Sequence, residues 1–265
     1  MLRLEHLSKT FNAGTVNEKH ALRELSLQLR PGDYVTVIGS NGAGKSTMLN
    51  AVAGVWPVDA GRILLDGEDI TGKPEHKRAT HIGRVFQDPM MGTAADMWVE
   101  ENLDLALLRG ERRGLRWAVT RDDREAFREQ LKTLGLGLEE RMTTKVGMLS
   151  GGQRQALTLL MASMKKPKLL LLDEHTAALD PATAAKVLEI TDRIVQEEQL
   201  TTLMITHNMK DAIRHGNRLI MMNQGQIILD IEGEEKKHLT KQMLMEMFQK
   251  VSGSTIDSDE ALLTK

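Results

Sequence analysis

The sequence predicts an α/β fold in which a parallel sheet is flanked by helices, with a small antiparallel sheet ahead of it and a helical segment inserted in its middle. Three observations carry this. Short apolar runs at 34–38, 169–172, 202–205 and 218–222 have the length and unbroken apolarity of strands buried on both faces. Helical patterns separate most of them, at 46–53 and at 182–199, the latter opened by Asp180 and Pro181. Residues 95–165 interrupt this rhythm with no strand-like run and with helical patterns such as ENLDLALLRG and REAFREQLKTLG.

Taken in order, residues 2–7 and 25–29 alternate apolar and polar side chains, as half-buried strands do, and RPGD at 30–33 supplies a turn. GRILLDGEDI at 61–70 continues the alternation, so an antiparallel sheet is expected beside the parallel core that opens at YVTVIG. The expected layout is one unit over 1–248, with a core of 1–88 and 168–248 and a helical insert of 89–167. In the insert, RGERRGLRW gathers Arg109, Arg112, Arg113 and Arg116 near Trp117; a solvated surface is expected, and contact with lipid headgroups is the alternative. Residues 249–265, which end in SGSTIDSDEALLTK, are polar and small and are expected to form a flexible tail. No repeat of 20 to 50 residues is present.

Composition removes several functions. The 265 residues carry 35 Lys and Arg against 37 Asp and Glu, a net charge of −2, so no basic field draws the chain to nucleic acid and no nucleic-acid partner is expected. The absence of cysteine excludes disulfides, thiolate metal sites and a cysteine nucleophile, and suits a reducing compartment. MLRLEHLSKTF lacks the apolar centre of a secretion signal, and no run approaches the ~18 apolar residues that span a bilayer. Any tie to a membrane is expected to come through a partner.

The chemistry is concentrated in a few stretches. GSNGAGKST supplies Gly39, Ser40, Asn41, Gly42, Ala43, Gly44, Lys45, Ser46 and Thr47 between an apolar strand and a helix, the context a phosphate-binding loop requires. Glycines let successive backbone N–H groups turn inward, and the following helix adds about half a positive charge at its start. Lys45 is expected on the β- and γ-phosphates, the Ser46 hydroxyl on Mg²⁺ and Thr47 on further phosphate oxygens. KLLLLDE ends a buried strand in Asp173, which suits the magnesium shell, and Glu174, which suits a general base that polarises water. His207 follows the strand TTLMITH and is expected at the same edge, within reach of a γ-phosphate. Gln87 in RVFQDP offers an amide oxygen to Mg²⁺ or to the attacking water. Phe11 in SKTFNAG is a candidate for stacking on adenine, with Val16 beside the base; a core position for Phe11 is the competing reading.

A second glycine loop, LSGGQRQ at 149–155, leads at once into ALTLLMASMKKPKLLLLDE. With it in place the chain closely resembles the ATP-binding cassette (ABC) ATPases over residues 1–248. The resemblance implies a P-loop NTPase core of RecA-like type, ATP with Mg²⁺ as ligands, and two copies arranged head to tail. Ser150, Gly151, Gly152 and Gln153 of one copy would then close over the ATP held by the other, with Asp180 coupling the two sites. By the same likeness Phe11 matches the adenine-stacking aromatic, Gln87 the loop that senses metal and partner, and His207 the switch histidine. The family more often has tyrosine at position 11 and proline at position 175, where this chain has His175. KTFNAGTVNEKHAL, GRVFQDPMMGT and THNMKDAIRHGNRLIMM resemble a bacterial importer group associated with amino acids. That implies transmembrane permease subunits, an extracytoplasmic solute-binding protein and a place on the cytoplasmic face of the membrane. A soluble cassette acting on ribosomes or DNA, or the ATPase of an exporter, is the alternative; the single cassette, the lack of a long coiled coil and the lack of zinc-binding cysteines count against the soluble one.

Overall fold

The structure is a computed structural model and describes residues 1–111 and 119–252. In chain order the elements are β1 (Leu2–Phe11), β2 (Lys19–Gln28), β3 (Tyr34–Gly39), α1 (Lys45–Ala53), β4 (Ala60–Leu65), β5 (Glu68–Asp69), α2 (Glu75–Arg78), β6 (Ile82–Val85), α3 (Val99–Leu107), α4 (Arg121–Leu134), α5 (Gly151–Ser163), β7 (Leu169–Asp173), α6 (Pro181–Glu197), β8 (Thr202–Ile205), α7 (Met209–Arg214), β9 (Arg218–Asn223), β10 (Gln226–Glu232), α8 (Gly233–Lys237) and α9 (Lys241–Ser252). They fall into two compact units, one of Met1–Arg78 with Leu200–Lys265, the other of Ala79–Gln199.

The first unit holds the antiparallel sheet, in the order β2-β1-β4-β5. Its alternation buries Leu2 and Leu4, then slips to Leu7, because His6 takes a left-handed φ of 49° and Glu24 on β2 does the same. The unit's other strands run β10-β9-β3-β8, with β3 parallel to both β8 and β9 and β10 antiparallel to β9. β3 lies between two neighbours and is buried along nearly its whole length, which is why its sequence is a continuous apolar run. Helix α1 ends at Gly54 (φ 87°), and its last carbonyls are met by Arg78, whose Nη1 donates to Ala51 O at 2.8 Å and Val52 O at 2.9 Å. Burial lowers the Arg78 pKa, and its remaining N–H groups reach Thr71 O and Lys73 O.

At the end of the chain, Leu244 and Phe248 of α9 are buried against Ile38, Leu219, Met221 and Ile231. The helix therefore continues past the expected start of a tail at 249, to Ser252. Residues 253–265 lie outside the described residues.

The second unit is built on β6 and β7, parallel and in register from Ile82–Leu169 to Val85–Leu172. α5 approaches β6 so closely that a Cβ on Gly83 would stand 2.5 Å from Ala162 O. Within this unit β6 pairs with β7 and packs on α5. Arg109 is turned inward, donating through Nη2 to Ala162 O at 3.1 Å near the end of α5, and burial lowers its pKa. Half-buried, it thus spends part of its bonding capacity on the backbone of α5. Arg112, Arg113, Arg116 and Trp117 lie outside the described residues.

Candidate functional site

In the first unit, β3 delivers the glycine loop into α1. The loop threads between two pieces of backbone: a Cβ at Gly39 (φ 150°) would stand 2.2 Å from Met222 O, and one at Gly44 (φ 102°) 2.5 Å from Ala21 O. Gly225 N donates to Ala43 O at 2.9 Å and closes the cradle from the β9–β10 turn. Gly44 caps α1 with no side-chain bond, so the helix start is left to whatever anion the loop takes. Lys45 is buried, and its Nζ donates to Gly39 O at 2.6 Å and Ser40 O at 3.1 Å. Ser40 and Thr47 are half-buried, whereas Asn41, Gly42 and Ser46 face solvent.

Around this loop the unit gathers further expected residues. Thr206 N donates to Val37 O at 3.1 Å, so exposed His207 leaves β8 at the edge where β3 gives way to the loop. Asn208 then caps α7, accepting from Lys210 N and Asp211 N. The Phe11 ring stands edge-on to Trp56 with centroids 5.1 Å apart, and Lys9 Nζ lies 5.6 Å from its centroid. Phe11 is half-buried rather than core, while Val16 is fully exposed in the connection from β1 to β2. Lys19, unmentioned by the motifs, pairs with Phe11 in the ladder and places Nζ 3.1 Å from the Cβ position of Gly42.

In the second unit the register of β6 and β7 brings their ends side by side, so exposed Gln87 and half-buried Asp173 and Glu174 leave the same edge. Glu174 has a left-handed φ of 48°, a conformation that costs an ordinary residue free energy and that recurs at functional turns. His175 is buried, with Nε2 3.0 Å from Thr191 Oγ1. Because that hydroxyl donates to Val187 O at 2.8 Å, the imidazole Nε2–H is the donor. His175 thus anchors the turn after Glu174 to α6.

The second glycine loop is the start of α5. Ser150 Oγ accepts from Gln153 N at 3.3 Å and Gln153 Oε1 accepts from Ser150 N at 3.2 Å, a reciprocal cap that the spacing S-x-x-Q signals in sequence. Ser150 and Gly151 are exposed, whereas a Cβ on Gly152 would stand 2.2 Å from Thr183 Cγ2. Exposed Asp180 caps α6, accepting from Thr183 N at 3.1 Å, and this bonding holds its carboxyl below the usual range. Gln155, also unforeseen, is buried and donates to Phe86 O at 3.3 Å, tying the start of the Gln87 loop to α5.

Among the described residues no three His, Cys, Asp or Glu side chains gather to hold a metal. Ser46 in the first unit, and Gln87 and Asp173 in the second, each carry an oxygen donor of the kind that hard cations such as Mg²⁺ ordinarily take. A backbone loop too tight for side chains suits phosphate in the same way.

These features define a nucleoside-triphosphatase of the P-loop class. Residues 22–177 match the family model described as ABC transporter. A tyrosine transport ATP-binding protein of Clostridioides difficile (strain R20291) is 45% identical over 94% of this chain and 99% of its own. A thiamine import ATP-binding protein of Salmonella paratyphi A is 36% identical over 78% of this chain and 83% of its own. Among solved structures, the dimeric post-hydrolysis state of the ATP-binding cassette MJ0796 bound to ADP and Pi superposes with a TM-score of 0.74 at 27% identity, over 88% of this chain and 98% of that one. The chain belongs to the ABC transporter family as an ATP-binding subunit, and it is an ATPase.

Proposed function

We propose that this ATPase drives solute uptake, as one of two head-to-tail copies joined to transmembrane permease subunits, and that the solute is an amino acid. The observation that carries the sandwich is the start of α5: an exposed Ser150–Gly151 step at the positive end of a 13-residue helix, well suited to close on a phosphate held by a second copy. The 45% identity to a tyrosine transport ATP-binding protein supports the amino-acid cargo.

In this reading the loop Gly39–Thr47 and Lys45 hold the β- and γ-phosphates and Phe11 holds the base, with Val16 at its rim. Ser46, Asp173 and Gln87 would hold Mg²⁺, which when bound would neutralise charge developing on the phosphate oxygens. Glu174 draws a proton from the attacking water, and His207 steadies the γ-phosphate. Ser150, Gly151, Gly152, Gln153 and Asp180 act on the partner copy's nucleotide. Loss of the γ-phosphate removes the group that both copies grip, and the pair loosens.

No helix among the described residues is long and apolar enough to cross a membrane. The permease is instead met through apolar side chains exposed on the second unit, Met90 and Met91 on one segment and Trp98 and Met148 on two others. Trp98 and Met148 lie on segments joined by Val146 N to Met97 O at 3.0 Å and Gly147 N to Ala95 O at 2.8 Å. Methionine-rich surfaces of this kind accept an amphipathic helix. The chain works on the cytoplasmic face of the membrane, with a solute-binding protein on the far side.

Tagged Glu174→Gln, purified with ATP from solubilised membranes of its host, tests the reading. It should bind ATP, run as a dimer and carry a multi-span permease identifiable by mass spectrometry. Recovery with ribosomal proteins alone, or full ATP turnover by the variant, would refute it.

A further inference from the structure

Arg84 has no part in the roles given above, yet it stands beside the metal-binding carboxylate. It lies on β6 opposite Leu171 of β7, and its Nη2 is 3.6 Å from Asp173 Oδ2. Its guanidinium carbon sits 4.5 Å from the centre of the Phe86 ring. Side chains two apart on an extended segment share a face, which is what brings the ring under the cation. Both members of the ion pair are largely withdrawn from water, Arg84 at 13% exposure and Asp173 at 17%.

Asp173 closes a strand of four leucines that are fully buried. A carboxylate at the end of such a strand is costly unless an opposite charge stands close. The stacked guanidinium of Arg84 meets that need before any metal arrives. A divalent cation arriving at the same carboxylate competes with it directly, and the ring beneath gives the displaced guanidinium a surface on which to remain.

We infer that Arg84 is a positioning residue that occupies the Asp173 carboxylate between turnovers and must yield it to Mg²⁺, so that it sets how much Mg²⁺ nucleotide binding requires. The inference rests on the assignment of Asp173 to the metal shell. It gives Arg84 a signature distinct from that of a phosphate ligand: removing it lowers the Mg²⁺ requirement and leaves metal-free nucleotide binding untouched.

The experiment measures binding of a fluorescent ATP analogue in the Glu174→Gln chain, where turnover is blocked, across a Mg²⁺ titration and in excess EDTA. Arg84→Met should reach its half-maximal Mg²⁺-dependent gain at about fivefold less Mg²⁺, the scale of one partly screened ion pair. Arg84→Lys, which keeps the charge, should stay near the parent, and affinity in EDTA should be the same in all three. Arg84→Gln replaces Arg84→Met if the apolar variant does not fold. An unchanged or raised Mg²⁺ requirement in the neutral variant would overturn the inference, as would a loss of affinity in EDTA. Asp173→Asn separates the two levels: if it alone abolishes the Mg²⁺-dependent gain while Arg84→Met changes nothing, the inference about Arg84 falls and the metal assignment stands. If the gain survives Asp173→Asn, both fall.

Discussion

At the scale of single residues, Gly152 has two separable reasons to be glycine. Its exposed neighbours are the part proposed to reach a second copy, but the Cβ position of Gly152 itself points 2.2 Å from Thr183 Cγ2 within the same chain. Gly152→Ala should therefore be destabilised by about 1–3 kcal/mol through overpacking. Adding Thr183→Ala should restore the melting temperature. If the trans role is right, ATPase activity should stay low in the double variant; recovery of activity along with stability would make Gly152 a packing residue only. His175 illustrates the converse. The resemblance marks it as a departure next to the base, and the structure turns its ring into the interior, where Thr191 Oγ1 accepts a hydrogen bond from it.

At the scale of elements, the helix ends carry most of what the site needs. α5 and α6 both begin with side-chain caps, Ser150 and Asp180, and these are also the residues proposed to face the partner copy. The Asp180 carboxyl is depressed first by its side-chain bond to Thr183 and then by the Thr183 backbone N–H. A carboxyl depressed on folding stabilises the fold above its unfolded value of 3.8 and loses that contribution as pH falls through the folded value. Asp180→Asn keeps a capping oxygen without a charge to titrate, so its thermal stability should fall less steeply than the parent's as the pH drops below about 4. Equal acid limbs in melting curves would show that the cap's charge contributes nothing. α1 is held differently, through Arg78 at its far end, and no motif in the sequence signalled that contact.

At the scale of the whole molecule, α9 shows how far the last residues belong to the first unit. Leu244 is fully buried against Leu219, Ile231 and their neighbours, so Leu244→Ala should cost about 2–5 kcal/mol of stability in denaturant unfolding. A loss well under 1 kcal/mol would mean that α9 is a loosely attached appendage. The sequence pattern did not reveal this, since the methionines of KQMLMEMFQKVS blur its apolar stripe.

By itself the sequence determined the class of fold, the phosphate loop, the Asp173–Glu174 pair and the second glycine loop. Buried strands must be continuously apolar, and backbone phosphate contacts demand glycine at fixed spacing, so these features are written locally. It also holds the S-x-x-Q cap and the strand QIILDIE, signals weaker than the glycine loop and the continuous apolar runs. Only the tertiary structure decided that half-buried Arg109 bonds to the end of α5, that Arg78 closes α1, that Gln155 ties the Gln87 loop to α5 and that Arg84 stands over Phe86 against Asp173. Each of these is a polar side chain whose partner lies in another element. Charge and residue type reveal that such a group must be satisfied if buried, and only the packing reveals by whom.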